Sequence, residues 1–493
     1  MGPKAALVNP HFPVRTYPGA PMGLFTIGGS LKRTGAEVSY FDSDPMGGLK
    51  EFKRFLEKEK PAILGLTSLS FQINEAAELA RIAKDADPNI TVILGGRHAT
   101  VGWKEVLEDY NCFDACCVGE GEELIVEACS GARFEKIKGL AHRVGDSVVY
   151  NGPRPVQKNI DLYTSDRSLH FPSYDFEILF HKDGTPLKTA QVMASRGCPY
   201  QCVFCTESIM SDMANEARGP GFRRSSLESI RREMRGLKEN GYEFVYFDDS
   251  TFTLNKRYAL EISKIMSEFG LLWGCNTRVD SIDYKLASEM AKNGCTYMFC
   301  GFESAVPEVL LAMKKTNKPE YYLKCAQEVY GWLGELGFDR MAYIIFGGPK
   351  LKPDGSIGVE NFDDAKRSID FVVEKLKPNE ISPSGFRLLP GTTAATDIRY
   401  AALWPGGKPI SSRDYHTKER LTTHPIMDGL EGRGSVNSAV LDPESAYRIV
   451  EYLVAIENSG GPRINFTKGF EDKHIIKGNW FKKLMPLDAM RAG

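Results

Sequence analysis

Apolar and polar positions alternate in blocks along the first third of the chain. Short, nearly continuous apolar runs at 5–8, 37–41, 62–67, 91–94 and 113–118 read as strands buried on both faces. Between them, 22–33, 49–58, 74–86 and 103–108 carry apolar residues at helical spacing. This rhythm predicts a parallel sheet covered by helices on both sides. The stretch 136–150 alternates residue by residue around a Gly145-Asp146 turn and predicts a hairpin. Periodicity then fades through Pro153, Pro155 and Pro172, with Pro186 just beyond, as in a linker. From 189 the alternation resumes. Strands are predicted at 189–194, 243–248, 272–276, 296–301, 340–346 and 380–387, with helices at 226–239, 256–269, 283–293, 319–336 and 361–376. Beyond about residue 400 only 443–458 keeps helical spacing. The division this implies is a first domain at 1–145, a linker at 146–187, a second domain at 188–395 and a small third region at 396–493.

Composition narrows the picture. A chain of 493 residues exceeds one ordinary core. Sixty-two basic against 64 acidic residues leave a net charge of −2, so no general attraction to nucleic acid or an anionic membrane is expected. No apolar run is long enough to span a bilayer, and the first ten residues are too polar for a signal peptide. Eleven cysteines without an export signal point to a reducing cytoplasm rather than a disulfide framework. Eight of them fall in no metal spacing and read as small buried hydrophobes.

The remaining three differ. Cys198, Cys202 and Cys205 lie in Ser195-Arg-Gly-Cys-Pro-Tyr-Gln-Cys-Val-Phe-Cys. Closely spaced thiolates are soft ligands for zinc, copper(I) or iron–sulfur clusters. Structural zinc wants four ligands, and no fourth Cys or His stands nearby. Three thiolates on a four-iron cluster leave one iron open to a substrate. Three buried core thiols or a partial zinc knuckle have the same spacing.

The spacing, the leading Ser-Arg-Gly and Phe204 resemble the radical S-adenosylmethionine (SAM) superfamily, in which the open iron chelates the amino and carboxylate groups of SAM. The resemblance implies a [4Fe–4S] cluster on Cys198, Cys202 and Cys205 and a partial (β/α)6 barrel with its chemistry at the strand ends. Those ends carry further matches. Asp248 and Asp249 take the place that meets the SAM amino group. Arg278 is placed to hold a carboxylate in a bidentate fork. Glu303 and Ser304, in Gly-Phe-Glu-Ser, fall near the ribose and methionyl part, and Gly347-Gly348-Pro349 suits close packing against adenine.

The first domain resembles the cobalamin-binding domain that precedes many radical SAM domains. Gly95-Gly96-Arg97-His98-Ala99 and Gly119-Glu120-Gly121-Glu122, both at strand ends, carry that likeness. Ligands of such sheets bind outside the carboxyl ends of the strands. The resemblance therefore implies cobalamin contacts at Thr67, Ser68, Ser70, Gly95, Gly96, His98, Gly119, Glu120 and Gly121. No Asp-x-His-x-x-Gly run supplies an axial histidine. The lower face of the cobalt would meet water or the loop of Leu69, Phe71 and Gln72.

The fold expected is thus α/β: a doubly wound Rossmann-like cobalamin-binding domain, a radical SAM barrel, and a C-terminal region capping the substrate. The activity implied is a cobalamin-dependent radical SAM methyltransferase that methylates an unactivated carbon of a small molecule by way of a 5′-deoxyadenosyl radical and methylcobalamin. A cyclase, rearranging or oxidising enzyme shares that architecture. A non-catalytic cobalamin or redox sensor would instead have lost a cysteine or a SAM motif. A one-electron donor such as flavodoxin or ferredoxin is the implied partner, and a monomer is expected. The motifs specify cofactors and name no substrate or general acid or base.

Overall fold

The computed structural model describes residues 3–11, 20–168, 187–217, 219–416 and 443–464. Its first sheet contains β1 (Lys4–Asn9), β2 (Glu37–Asp42), β3 (Ile63–Thr67), β4 (Thr91–Gly95), β5 (Ala115–Cys117), β6 (Leu140–Val144) and β7 (Ser147–Tyr150), in the order β2-β1-β3-β4-β5-β6-β7. The first five are parallel, and the hairpin β6–β7 is added antiparallel along β5. The chain order reverses between β1 and β3, the switch point at which such sheets open a crevice. Alternate side chains serve opposite faces, as the pleat requires. Ala5, Leu7, Ile63 and Ile93 pack under helices Met22–Lys32 and Glu122–Cys129. Ala6, Val8, Leu64, Leu66, Val92 and Leu94 pack under Gly48–Glu59, Ile73–Ala86 and Gly96–Asp109. Because β7 belongs to this sheet, the first unit runs to Tyr150 rather than stopping at 145.

The second sheet collects β8 (Thr189–Val192), β11 (Phe244–Phe247), β12 (Leu272–Thr277), β13 (Cys295–Glu303), β14 (Asp339–Phe346), β17 (Glu380–Gly385) and β18 (Arg463–Ile464). All its pairings are parallel, in the order β18-β17-β14-β13-β12-β11-β8. The intervening strands form two-stranded ribbons: β9 (Ser195–Arg196) with β10 (Arg223–Arg224), and β15 (Pro349–Leu351) with β16 (Ile357–Val359). Six strands match the expectation, and β18 adds a seventh. Ser226, Asn255, Asp283 and Asn361 each cap the helix that follows by accepting from a backbone N–H of its first turn, which fixes where those helices start.

The C-terminal region departs from its expected place. Among the described residues, neither 396–416 nor 443–464 lines the cavities described below. Tyr400, Trp404 and Tyr415 are buried in the apolar cluster that the first sheet shares with the barrel. Ile449, Val450 and Leu453 of the helix Pro443–Asn458 pack on the barrel core. Burial of these large side chains favours docking over a loose cap. Arg420 and His424, in the region expected to cap the substrate, lie outside the described residues. Among the described residues, no helix is long and apolar enough to cross a membrane.

Candidate active site: two cavities joined at the strand ends

The first cavity, about 580 Å³, opens along the carboxyl ends of the first sheet. Leu7, Leu66 and Ile93 form its floor, and Leu24, Ile27 and Leu124 wall it from the helices. Thr67, Gly95, Gly96, Gly119, Glu120 and Gly121 stand around it. Gly96 has φ +89°, and a Cβ there would lie 2.7 Å from the Ser68 carbonyl oxygen, so the turn admits only glycine. An apolar slot between sheet and helices, rimmed by backbone, suits a long nucleotide-bearing tail such as that of cobalamin.

Ser68, Ser70 and His98 do not line this cavity. The Ser68 hydroxyl donates to the Leu69 carbonyl at 2.7 Å. His98 is fully buried. Its Nδ1 lies 3.1 Å from Ser70 Oγ, and its Nε2 lies 3.1 Å from Nε2 of His416, whose Nδ1 is 2.7 Å from Asp109. Burial, with His416 beside it, pulls His98 down to about 3. His98 is thus one link of a buried chain of hydrogen bonds. Of the lower-face loop, Gln72 is committed to the Leu69 amide and the Pro10 carbonyl, and Phe71 packs edge-on to Tyr415 with Arg387 over its ring. Leu69 alone stands exposed.

The second cavity, about 600 Å³, fills the mouth of the partial barrel. Cys198, Cys202 and Cys205 all face it, beside Tyr200, Phe204 and Phe299. The loop after β8 and β9 brings the three thiols together, and Cys205 ends it at the N-terminus of the helix Thr206–Glu216. Burial raises all three thiols, Cys205 to about 11, while Lys315 and Arg278 act the other way on Cys202. Among the described residues no three such side chains close on a single metal ion, but three thiols lining one cavity, with Lys315 and Arg278 beside Cys202, suit the wider span of an anionic four-iron cluster. The other eight cysteines lie outside this set, and all but Cys325 are buried.

The expected SAM contacts separate into two groups. Asp248, Arg278 and Glu303 line the second cavity. The Arg278 fork is already filled, since it donates to Asp280 at 2.9 and 2.8 Å and to the Lys315 carbonyl at 2.8 Å while stacking on Tyr200. It holds the cavity wall, with no fork left for a ligand carboxylate. Glu303 has φ +70°, strained for a residue with a Cβ. Its Oε1 accepts from Lys315 at 2.8 Å, and its buried Oε2 has no partner. Asp249, Ser304, Gly347, Gly348 and Pro349 lie behind the wall. Asp249 accepts from the Ala194 amide and the Ser195 hydroxyl, anchoring the start of the cysteine loop. Burial raises its carboxyl to about 7. Ser304 bonds Ser368, and the Gly347 and Gly348 amides both donate to Glu360. A Cβ on Gly348 would strike Met313 at 2.2 Å, so these glycines serve internal packing rather than an adenine.

The two cavities share Glu207, Asp248, Ser250 and Asn276. Asp248 is open to the cavity but deep in the molecule. The protein around it raises its carboxyl to about 6, against a hydrogen bond from Asn276 Nδ2 at 2.9 Å. Glu207 pairs with Arg97, which reaches across from the first domain. Sequence reading passed over Glu207, Ser250, Arg97 and Arg196. Glu207, two residues past Cys205, was findable as a charged residue flanking the triad.

Residues 13–128 match the B12 binding domain and residues 192–355 the radical SAM superfamily. The chain is 29% identical over 401 residues to an uncharacterized methyltransferase of Pyrococcus horikoshii, covering 78% of each. It is 29% identical over 295 residues to the anaerobic magnesium-protoporphyrin IX monomethyl ester cyclase of Cereibacter sphaeroides, covering 56% of this chain and 46% of that one. Its fold is similar to the radical SAM methyltransferase TsrM of Kitasatospora setae, solved with tryptophan and a SAM analogue, at a TM-score of 0.70 and 20% identity over 92% of this chain and 89% of that one. The chain thus carries a B12 binding domain followed by a radical SAM domain, a pairing whose cofactors are cobalamin, a [4Fe–4S] cluster and SAM.

Proposed function

We propose that this chain is a cobalamin-dependent radical SAM methyltransferase acting on an unactivated carbon of a small molecule. The observation that carries the reading is the junction of the two cavities at Glu207, Asp248, Ser250 and Asn276. Because the cavities adjoin there, a methyl donor in one and a hydrogen-abstracting centre in the other could reach the same atom. When bound, the cluster and SAM supply the radical that removes hydrogen, and cobalamin supplies the methyl group.

The chain's own residues position and exclude. Cys198, Cys202 and Cys205 hold the cluster from one wall. Asp248, ionised at neutral pH, pairs with the SAM ammonium, and the orphan Oε2 of Glu303 accepts from a sugar hydroxyl. Tyr246 donates to Asn276, which donates to Asp248, so that carboxylate points at the junction rather than into bulk water. Tyr200, Phe204, Tyr297 and Tyr343 keep the barrel mouth apolar and limit water near a reactive radical. Thr67, Gly95, Gly96, Gly119 and Gly121 would cradle the cobalamin. A cytoplasmic flavodoxin or ferredoxin is the matching source of electrons.

The likeness to the cyclase of Cereibacter sphaeroides favours a second reading, a radical reaction without methyl transfer. Reconstituted protein, incubated with SAM, cobalamin, reductant and candidate substrates, separates the two. Methyl transfer yields S-adenosylhomocysteine and 5′-deoxyadenosine in equal amounts with a methylated product. 5′-Deoxyadenosine alone, across every substrate that is turned over, discards the methyltransferase reading. Cys202→Ala abolishes 5′-deoxyadenosine formation in either case.

A further inference from the structure

The Gly-Glu-Gly-Glu turn after β5 spends its carboxylates across the domain boundary. Glu120 accepts from Arg223 at 2.6 and 2.9 Å and from Arg196 at 3.2 Å. Arg196 also donates to Glu122, and Arg223 to the Gln157 carbonyl at 2.9 Å. The Arg196 guanidinium lies 4.9 Å from the centre of the Tyr163 ring. The Arg223 and Glu122 side chains are 7% and 6% exposed. Arg196 and Arg223 face each other in the β9–β10 ribbon. Gly197, at φ +87°, sits so close to that ribbon that a Cβ would lie 1.8 Å from the Gly221 carbonyl oxygen.

Both ends of this cluster touch a site. Gly119 and Gly121 rim the first cavity, as does Gly197 from the other domain. Cys198, two residues beyond Arg196, lines the second. Withdrawing one member of a buried ion cluster leaves an uncompensated charge, so the turn and the loop keep their arrangement together or lose it together. Whatever fixes one therefore favours the other, and the effect is reciprocal.

We propose that Glu120 is a positioning residue of the radical site: by gripping Arg196 and Arg223 it ties the turn at the rim of the cobalamin cleft to the loop that carries Cys198, so that filling either cavity favours filling the other. This rests on the cofactor assignment proposed above.

The test titrates hydroxocobalamin into the full-length protein, by its absorbance change, before and after cluster reconstitution. Wild-type Kd is expected to fall about fivefold or more on cluster loading. Glu120→Gln keeps the shape of the side chain but loses its charge. It is expected to bind cobalamin with a Kd ratio near one. Arg223→Gln leaves the Arg196–Glu122 pair intact. It is expected to show a ratio below wild type, and it carries the test alone if Glu120→Gln does not fold. A merely structural role would weaken binding with and without cluster alike and leave the ratio unchanged. A wild-type ratio of one, or a wild-type ratio preserved in both variants, overturns the inference. Failure of the wild type to bind cobalamin at all overturns the cofactor assignment itself, and this inference falls with it.

Discussion

At the scale of single residues, position in a motif and role in the structure come apart most clearly at His98. Its Nε2 meets His416, 318 residues away, and its Nδ1 meets Ser70. Both rings stay neutral if the Nδ1–H of His416 donates to Asp109, and if His98 donates through Nε2 and accepts from Ser70. Burial holds His98 well below its ordinary 6.5, at about 3. Between those values the unfolded chain binds a proton that the folded one does not, so stability rises with pH and is lost as pH falls below about 6.5. One such group changes stability by up to about 1.4 kcal/mol per pH unit. The raised carboxyls of Asp248, Asp249 and Glu360 pull the other way, so a comparison isolates the histidine. In urea unfolding, wild type is expected to lose about 1 kcal/mol more than His98→Gln between pH 7 and 5.5. Equal losses would mean that His98 is protonated in the fold. The cysteine triad was legible because three ligands must be close in sequence to share one loop. Asp249, Ser304, Gly347 and Gly348 stand off the cavity because Ser195, Ser368 and Glu360, which engage them, lie 12 to 64 residues away, and no local pattern reveals such a pairing.

At the scale of elements, strands and long helices were legible and interruptions were not. The helix Gly96–Asp109 was visible only from 103, because Gly95-Gly96 at its start and Gly102 within it break the pattern. Gly102 leaves helical geometry, with φ −118° and ψ 18°. The reason lies in the segment Ser412–Tyr415, a short helical turn packed against that kink. A Cβ on Gly102 would lie 2.3 Å from the Ser412 Cβ. Gly102→Ala is therefore expected to cost about 1–3 kcal/mol by overpacking. Adding Ser412→Gly removes the opposing atoms and should restore at least half of the loss, read from urea midpoints. No recovery in the double variant would place the strain in the helix backbone rather than in the contact. The helix Glu122–Cys129 escaped notice because it opens on the last Glu of the Gly-Glu-Gly-Glu segment, which reads as a loop. Its two acidic residues at the N-terminus suit the helix dipole, although Glu122 is also held by Arg196.

At the scale of the whole molecule, the order of the units was legible and their fusion was not. Leu64, Leu66, Val92 and Leu94 of the first sheet share one apolar cluster with Val203, Met313, Phe386 and Leu388 of the barrel and with Trp404 and Tyr415. Periodicity assigns each residue to a face but says nothing of what that face meets, so the C-terminal segment was expected over the barrel mouth. A shared core makes local opening in one unit depend on the other. Phe386 tests this. It belongs to the barrel, is 1% exposed, and packs edge-on to Phe204 with ring centres 6.1 Å apart. Phe386→Ala is expected to cost about 3–5 kcal/mol. In amide hydrogen exchange, the loss should appear in β3 and β4 of the first sheet as well as in β13 and β14 of the barrel. Protection lost in the barrel strands alone would mean that the two units are stable separately. The same continuity would carry an opening of either unit to the residues Glu207 and Asp248 that both cavities share, where the proposed methyl transfer needs the two cavities to stay aligned.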